Sequence, residues 1–162
     1  MATANGVMHE KHGGVTSGPM DLRVWIRLLS CTVRIEKKIR RNFAEQFQTT
    51  LPRFDVMASL DRHPEGQTMG ELSRALLVSN GNVTSIIRQL EAQKLVVSRT
   101  DPDDRRSAIV ALTDEGKQRF DEMAEAHHQW ITQSLADFPT TKQRQLFELL
   151  AELKTSLGNN GF

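Results

Sequence analysis

The sequence lacks several features that define whole classes of proteins. It has a single cysteine, Cys31, so it cannot form an intrachain disulfide. The lack of disulfides is typical of proteins in a reducing compartment. No apolar run approaches the roughly 18 residues that a membrane-spanning helix needs, and the N-terminus lacks the apolar core of a signal peptide. We therefore expect a cytoplasmic protein without a membrane partner.

Motifs that carry enzyme chemistry are also missing. The chain has no Gly-rich phosphate loop, no nucleophile motif and no set of metal ligands at binding spacing. His9 and His12 form an isolated H-x-x-H pair in a segment without periodicity, where such a pair is usually without function. We therefore expect neither an enzyme nor a cofactor or metal site.

A strong excess of positive charge is absent too. The 162 residues include 21 Lys and Arg against 20 Asp and Glu, a formal net charge of +1. The chain is therefore not a generally basic nucleic-acid binder. Any affinity for DNA must come from the placement of individual charges, or from two copies acting together.

The stretch from 68 to 113 has the clearest pattern. Thr68 and Glu71 have the T-x-x-E spacing of a capping box, which predicts the start of a helix. Ser79 is a good N-cap for a second helix. After it, apolar residues repeat at the helical spacing of a buried stripe: Val83, Ile86, Ile87 and Leu90.

The opposite face of the second helix is small and polar. Asn and Arg can bond base edges in a major groove, and Thr can touch a thymine methyl. Gly81 has no side chain, so the backbone there could approach DNA closely. The candidate DNA-contacting residues of this helix are Ser79, Asn80, Asn82, Thr84, Ser85 and Arg88. The alternative is an ordinary solvated helix face.

Residues 95–99 and 108–112 alternate as short strands do. Pro102 and the aspartates of the intervening loop favour a turn, whose tip carries Arg105 and Arg106. An arginine at such a tip can enter a narrow minor groove, and an adjacent carboxylate could hold it. A helix–turn–helix followed by this hairpin is a winged helix–turn–helix, which usually reads duplex DNA; a charged surface hairpin is the alternative.

The order of these pieces resembles the MarR family of bacterial winged-helix regulators. The matching segments are GELSRALLVSNGNVTSIIRQLEAQKLVVSR and DPDDRRSAIVALTDEGK. The resemblance implies that the helix from Ser79 to Gln93 is the recognition helix. It also implies that Arg106 is the minor-groove arginine and Asp104 its supporting aspartate. Leu77 departs from the family's frequent Gly; if that position needs a positive φ, Leu costs on the order of 1 kcal/mol, unless the turn is built differently.

Long helical patterns flank this region. Residues 1–18 predict a flexible arm, 19–48 one long helix, and 114–158 two helices separated at Pro139. These helices are more apolar than one chain can cover, which predicts a homodimer. The predicted fold is mainly α with a small β-hairpin wing: a winged helix–turn–helix at 49–113 between N- and C-terminal dimerisation helices. The family's two-fold symmetry implies a pseudo-palindromic double-stranded DNA operator.

Members of the family are often released from DNA by small aromatic or phenolic effectors that bind between the dimerisation helices and the winged domain. The resemblance therefore implies a small-molecule effector here. The residues that could line its pocket share an apolar or imidazole side chain: Trp25, Leu29, Phe54, Met57, His127, His128 and Trp130. Helical spacing predicts most of them as core, and that is the alternative.

The leading hypothesis is a dimeric, effector-responsive transcriptional regulator that acts as a repressor. One alternative is a winged helix used for protein–protein assembly, against which the polar helix face argues. The other is a redox sensor acting through Cys31. Relatives that sense peroxides hold the thiolate with tyrosines, but this sequence has no tyrosine and its sensor position falls near Ile26. We therefore expect a structural Cys31.

Overall fold

The computed structural model describes residues 18–102, 104 and 107–159. Six helices and three strands lie within them, in the order α1 Met20–Phe47, α2 Leu51–Asp61, β1 Gln67–Thr68, α3 Met69–Leu76, α4 Asn80–Ala92, β2 Val96–Thr100, β3 Ala108–Leu112, α5 Asp114–Ser134 and α6 Thr140–Asn159. This confirms the predicted fold class. The predicted arm at 1–18 lies, apart from Gly18, outside the described residues. The chain forms two compact units, one ending at His127 and one beginning at His128.

The first unit contains the antiparallel sheet, in the order β1-β3-β2. Val96 pairs with Leu112 across the predicted hairpin, whose first strand begins one residue later than expected. Strand β1 was not predicted, because two residues are too few to show alternation. Gly66 precedes it at a φ of 89°, and a Cβ there would lie 2.6 Å from the carbonyl oxygen of Val110. Only glycine suits this close, left-handed position.

The core of the first unit lies between α1, α2, α3, α4, the first part of α5 and the sheet. In α4, Val83, Ile87 and Leu90 are buried as the stripe predicts, whereas Ile86 is half-buried. The other apolar side chains with almost no exposed surface come from the remaining elements: Phe43, Val56, Met57, Leu60, Leu72, Val110 and Met123. Burying an apolar side chain of this size contributes about 1.5–3 kcal/mol. Packing of its inner face therefore sets the position of α4. The outer face is not needed for this packing.

Helix α3 begins and ends as two local signals dictate. The capping box is present: the Glu71 N–H donates to Thr68 Oγ1 (3.3 Å), and the Thr68 N–H donates to Glu71 Oε2 (2.8 Å). That second bond holds the pKa of Glu71 below its ordinary value of 4.5. At the other end Leu77 has a φ of 54° and a ψ of 38°. The turn thus keeps a left-handed residue and is not built differently, although Leu replaces Gly.

Helix α5 starts directly against the base of the hairpin. Thr113 caps it, accepting a hydrogen bond from the Gly116 N–H (2.9 Å) and donating one to the Lys94 carbonyl (2.7 Å). The Thr113 N–H donates to the Leu95 carbonyl (3.1 Å). A Cβ on Gly116 would lie 1.8 Å from that same carbonyl oxygen. Glycine is therefore required where α5 meets the backbone before β2.

The second unit contains the end of α5 and all of α6. Thr140 is the first helical residue of α6, and the Pro139 carbonyl accepts the bond from the Gln143 N–H (2.9 Å). The Gln143 amide donates to the Phe138 carbonyl (2.7 Å), which closes the turn. Helix α6 exposes several large apolar side chains: Leu146, Phe147, Leu149, Leu150, Leu153 and Leu157. Among the helices of the described residues, none combines the length and apolar character needed to cross a membrane.

Candidate nucleic-acid interface

The outer face of α4 carries the residues that the sequence nominates for DNA contact. Five of the six are exposed, and the sixth, Thr84, is half-buried. The exposed ones are Ser79, Asn80, Asn82, Ser85 and Arg88. The structure thus brings these residues together on one continuous polar surface, which we call the α4 face.

Part of the hydrogen-bonding capacity at the N-terminus of α4 is not used within the helix. Ser79 is the N-cap, and its carbonyl accepts the Asn82 and Val83 N–H groups (3.1 and 3.2 Å). Its side chain makes no capping hydrogen bond. The first N–H groups of a helix lack partners within the helix and carry a partial positive charge. The Ser79 hydroxyl and these N–H groups can therefore meet an external acceptor such as a phosphate.

Thr84 differs from its neighbours on this face. Its hydroxyl donates to the Asn80 carbonyl (2.9 Å) and is used within the helix. Its methyl is still available for a contact with thymine.

Gly81 is not needed for packing. No heavy atom lies within 4 Å of the position that its Cβ would occupy. The same is true of Gly70 in α3, whereas Gly66 and Gly116 are each held by a close contact. Gly81 leaves the backbone of the α4 face uncovered, which suits close approach of another molecule.

Side-chain bonds fix α4 to its neighbours on both sides. From α2, the Arg53 Nε–H donates to Gln89 Oε1 (2.9 Å), and the Arg53 Nη2 group donates to the same oxygen. From β2, the Ser98 hydroxyl donates to a Glu91 carboxylate oxygen. The α4 face is therefore held in one orientation relative to α2 and the sheet.

The loop between β2 and β3 is described only in part. The Asp101 N–H donates to the Ser107 carbonyl (3.0 Å), and the Ser107 N–H donates to the Asp104 carbonyl (2.8 Å), so the loop closes on itself. Asp104 is exposed. Arg105 and Arg106 lie outside the described residues, and their role in DNA contact stays a prediction.

The proposed effector residues of the first unit are only partly together. Phe54 and Met57 are buried, and the His127 ring lies 5.0 Å from that of Phe54. Leu29 is half-buried, whereas Trp25 is 58% exposed on α1. Phe54, Met57 and His127 therefore take part in core packing, the alternative given by helical spacing.

The other two proposed effector residues, His128 and Trp130, belong to the second unit. His128 is exposed and Trp130 is buried. The Ser134 hydroxyl donates to the Trp130 carbonyl (2.7 Å). His128 also contributes to a cavity of about 370 Å³ at the α5–α6 turn.

A cavity that the sequence analysis missed lies directly beside the α4 face. Its volume is about 420 Å³. It is bordered by the four helices α1 to α4 and by the residues just before α2 and α4: Arg40, Thr50, Pro52, Asp55, Leu76, Val78, Asn82, Ser85 and Ile86. No local signal in the sequence indicates this cavity, because its lining residues come from separate elements of the fold.

The charged wall of this cavity comes from α1 and α2. Burial raises the pKa of Asp55, an effect that Arg40 opposes and Glu36 reinforces. The Arg40 Nε–H donates to Glu36 Oε1 (3.0 Å), so its charge is largely balanced within α1. The cavity therefore combines apolar walls with a carboxylate that is easier to protonate than usual.

A larger cavity, of about 550 Å³, lies near the C-terminal end of α1. Arg119 crosses its wall, donating to the Phe47 carbonyl (3.1 Å) and pairing with Glu122 (3.2 Å). Met57 of the proposed effector residues also lines it. This cavity does not include a residue of the α4 face.

Within the described residues, no group of three or more His, Cys, Asp or Glu side chains comes together as metal ligands would. Cys31 is exposed on α1. Contrary to the expected structural role, it is not part of the core of a single chain.

Residues 47–107 match the family model described as "MarR family". The HTH-type transcriptional repressor NicR of Pseudomonas putida is 30% identical over 115 residues, which are 70% of this chain and 72% of NicR. Two uncharacterized HTH-type regulators of Bacillus subtilis, YdgJ and YkoM, are 26% and 33% identical over 60% and 52% of this chain. The matched part spans 59% and 54% of those two proteins, a little over half of each.

Solved structures agree with this result. A MarR family regulator from Silicibacter pomeroyi superposes with a TM-score of 0.73 at 29% identity, covering 85% of this chain and 94% of its own. AbsC of Streptomyces coelicolor has a TM-score of 0.75 over 89% and 99% of the two chains, and at 19% identity it shows the fold alone. The matched proteins are transcriptional regulators rather than enzymes, as expected. The chain belongs to the MarR family of winged-helix transcriptional regulators.

Proposed function

We propose that this protein is a homodimeric, sequence-specific DNA-binding repressor that a small molecule releases from its operator. The observation that carries the proposal is the α4 face, whose exposed polar groups and open glycine serve no packing purpose. NicR is described as a repressor, which supports the same direction of control here. BadR of Rhodopseudomonas palustris, 30% identical over 59% of its own length, is described as an activatory protein.

Sequence reading would come from the α4 face. Asn82, Ser85 and Arg88 are exposed and lie within two turns of one another, so they can face one major groove together. Asn and Arg make bidentate contacts with adenine and guanine. Phosphate contacts at the N-terminus of α4 would fix its register, and Arg106 would add a contact in the minor groove. Because the net charge is only +1, placement of these groups must supply the affinity.

Dimer formation is supported by the apolar surface that each unit leaves exposed. In the first unit, Trp25 and Met20 are 58% and 65% exposed on α1. In the second, Phe147 and Leu149 are 74% and 62% exposed on α6. Monomeric proteins rarely expose contiguous apolar patches of this kind. Two subunits would present two α4 faces to successive major grooves.

Release would follow from binding in the cavity beside α4. A molecule there would touch Asn82 and Ser85 while it contacts α1 and α2. A ligand that prefers the conformation with α4 displaced shifts the population away from the DNA-binding state. A coupling of about 1–3 kcal/mol would lower DNA affinity roughly 5- to 150-fold. Ile86→Trp would fill the cavity and should abolish release while leaving unliganded DNA binding in place.

The proposal is tested by selecting a duplex from a randomised pool and titrating it with purified protein. Arg88→Ala should lose about 1–3 kcal/mol on the selected duplex and less on random duplex, because it removes a base contact. Arg106→Ala should weaken binding while the dimer stays folded. A protein that sediments as a monomer, or that selects no duplex even at low salt, would contradict the proposal.

A further inference from the structure

Arg53 lies beside the α4 face but is not part of it. It occupies the first turn of α2, and its guanidinium reaches Gln89 of α4 through both Nε and Nη2. Gln89 is exposed and follows Asn82 and Ser85 at the i, i+3, i+7 spacing of one helical stripe. The Arg53–Gln89 contact therefore places a guanidinium from α2 at the end of this stripe of α4.

The partner of Arg53 is a neutral group. An amide oxygen accepts both hydrogen bonds, and no carboxylate among the described residues pairs with Arg53. By contrast, Arg40 pairs with Glu36 and Arg119 with Glu122. Gln89 thus orders the Arg53 side chain without cancelling its charge. Two of the five N–H donors of a guanidinium are used in this way, and the others can reach an outside acceptor.

An ordered cation with spare donors suits a phosphate group. A guanidinium can bind phosphate through two parallel N–H bonds, which are stronger than neutral hydrogen bonds. A helix in a major groove has a sugar-phosphate backbone on each flank. Arg53 lies on the α2 flank of α4, on the same stripe as two groups proposed to face the bases. Because Gln89 already fixes the side chain, little further ordering is lost on binding.

We propose that Arg53 binds a backbone phosphate beside the groove occupied by α4, and that Gln89 positions it. This inference rests on the DNA binding proposed above. It assigns to α2 a direct part in DNA contact. It also explains why an exposed glutamine is paired with an arginine at this point of the recognition helix.

The test uses salt dependence, because a phosphate contact releases counterions and a structural contact does not. Binding of the full-length dimer to a labelled random-sequence duplex is measured by fluorescence anisotropy over a series of KCl concentrations. Each lost phosphate contact lowers the slope of log K against log[salt] by about 0.9, or by about 1.8 for a dimer. Arg53→Gln should show this loss on random and selected duplexes alike, whereas Arg53→Lys should retain the slope.

Two further variants separate positioning from general effects. Gln89→Ala keeps the Arg53 charge, so the slope should stay unchanged while affinity falls about two- to tenfold, the cost of ordering a long side chain. Arg62→Gln removes an exposed arginine from the other end of α2 and should leave the slope unchanged. The inference is refuted if Arg53→Gln has the wild-type slope, or if Arg62→Gln lowers it equally. Wild-type protein that binds neither duplex would instead refute the proposed function.

Discussion

The substitution Gly81→Ala, which adds one methyl group, should affect folding stability and DNA affinity in opposite directions. Gly81 is the second residue of α4, and Gly70 is the second residue of α3. At both positions a Cβ would have no heavy atom within 4 Å. The two glycines are therefore matched in helix position and in free space, but only one lies on the α4 face.

The expected magnitudes follow from this geometry. Alanine is better than glycine in a helix interior by about 0.8–1.0 kcal/mol, so Gly81→Ala and Gly70→Ala should each stabilise folding by up to about 1 kcal/mol. On DNA, carbon atoms in contact lie about 3.5–4.0 Å apart, so a methyl at 81 forces the α4 backbone away from the groove. Losing one base contact costs about 1–3 kcal/mol. Gly81→Ala should therefore bind its operator at least about fivefold more weakly.

Thermal denaturation and anisotropy titration on the selected operator measure the two effects. Both variants should melt at or above the wild-type temperature, and only Gly81→Ala should lose operator affinity. The reasoning fails if Gly81→Ala binds as wild type does. It fails equally if Gly70→Ala weakens binding to the same extent.

Three other substitutions test separate parts of the fold. Leu77→Gly should raise the free energy of unfolding by up to about 1 kcal/mol, because Leu is held at a φ of 54°; a lower melting temperature would contradict this. Gly116→Ala should lower it by about 1–3 kcal/mol or more in urea denaturation, because its Cβ meets a carbonyl oxygen at 1.8 Å, whereas Gly158→Ala should not. Hydrogen bonds from the N-cap residue of α3 lower the pKa of Glu71 in the folded state, so its contribution is complete above pH 4.5 and is lost as pH falls through the folded pKa. The difference in stability between wild type and Glu71→Gln should therefore shrink on acidification below pH 4.5, and a constant difference would count against the capping box.

Local signals predicted the elements well. The capping box at Thr68, the N-cap at Ser79 and the apolar stripe of α4 depend on residues a few positions apart, so the chain itself carries that information. The same holds for the hairpin strands. The placement of the polar residues on one exposed face of α4 follows from helical geometry once the inner stripe is known.

Features that join distant segments could not be predicted in this way. The cavity beside α4 forms where Arg40, Asp55 and Ile86 meet, and nothing in their local sequence records that meeting. The Arg53–Gln89 contact spans 36 positions. Strand β1 exists because β3 offers it hydrogen-bonding partners. Each of these depends on how elements pack, which periodicity within one element does not specify.

The left-handed turn at Leu77 is the informative exception. The sequence departs from the family's usual glycine at this position, and a different turn was one expectation. The structure keeps the turn and places Leu there with 92% of its surface exposed. Packing therefore does not offset the backbone strain, and the geometry that sets α3 against α4 takes precedence over local preference.

Gly116 and the Leu95 carbonyl are packed so closely that no space is left between their backbones. Because not even a methyl group fits between them, the first turn of α5 and the foot of the hairpin cannot slide past each other. If that turn tilted, the foot of the wing would have to move with it. The hydrogen that glycine carries in place of a side chain thus couples the first turn of α5 directly to the foot of the wing.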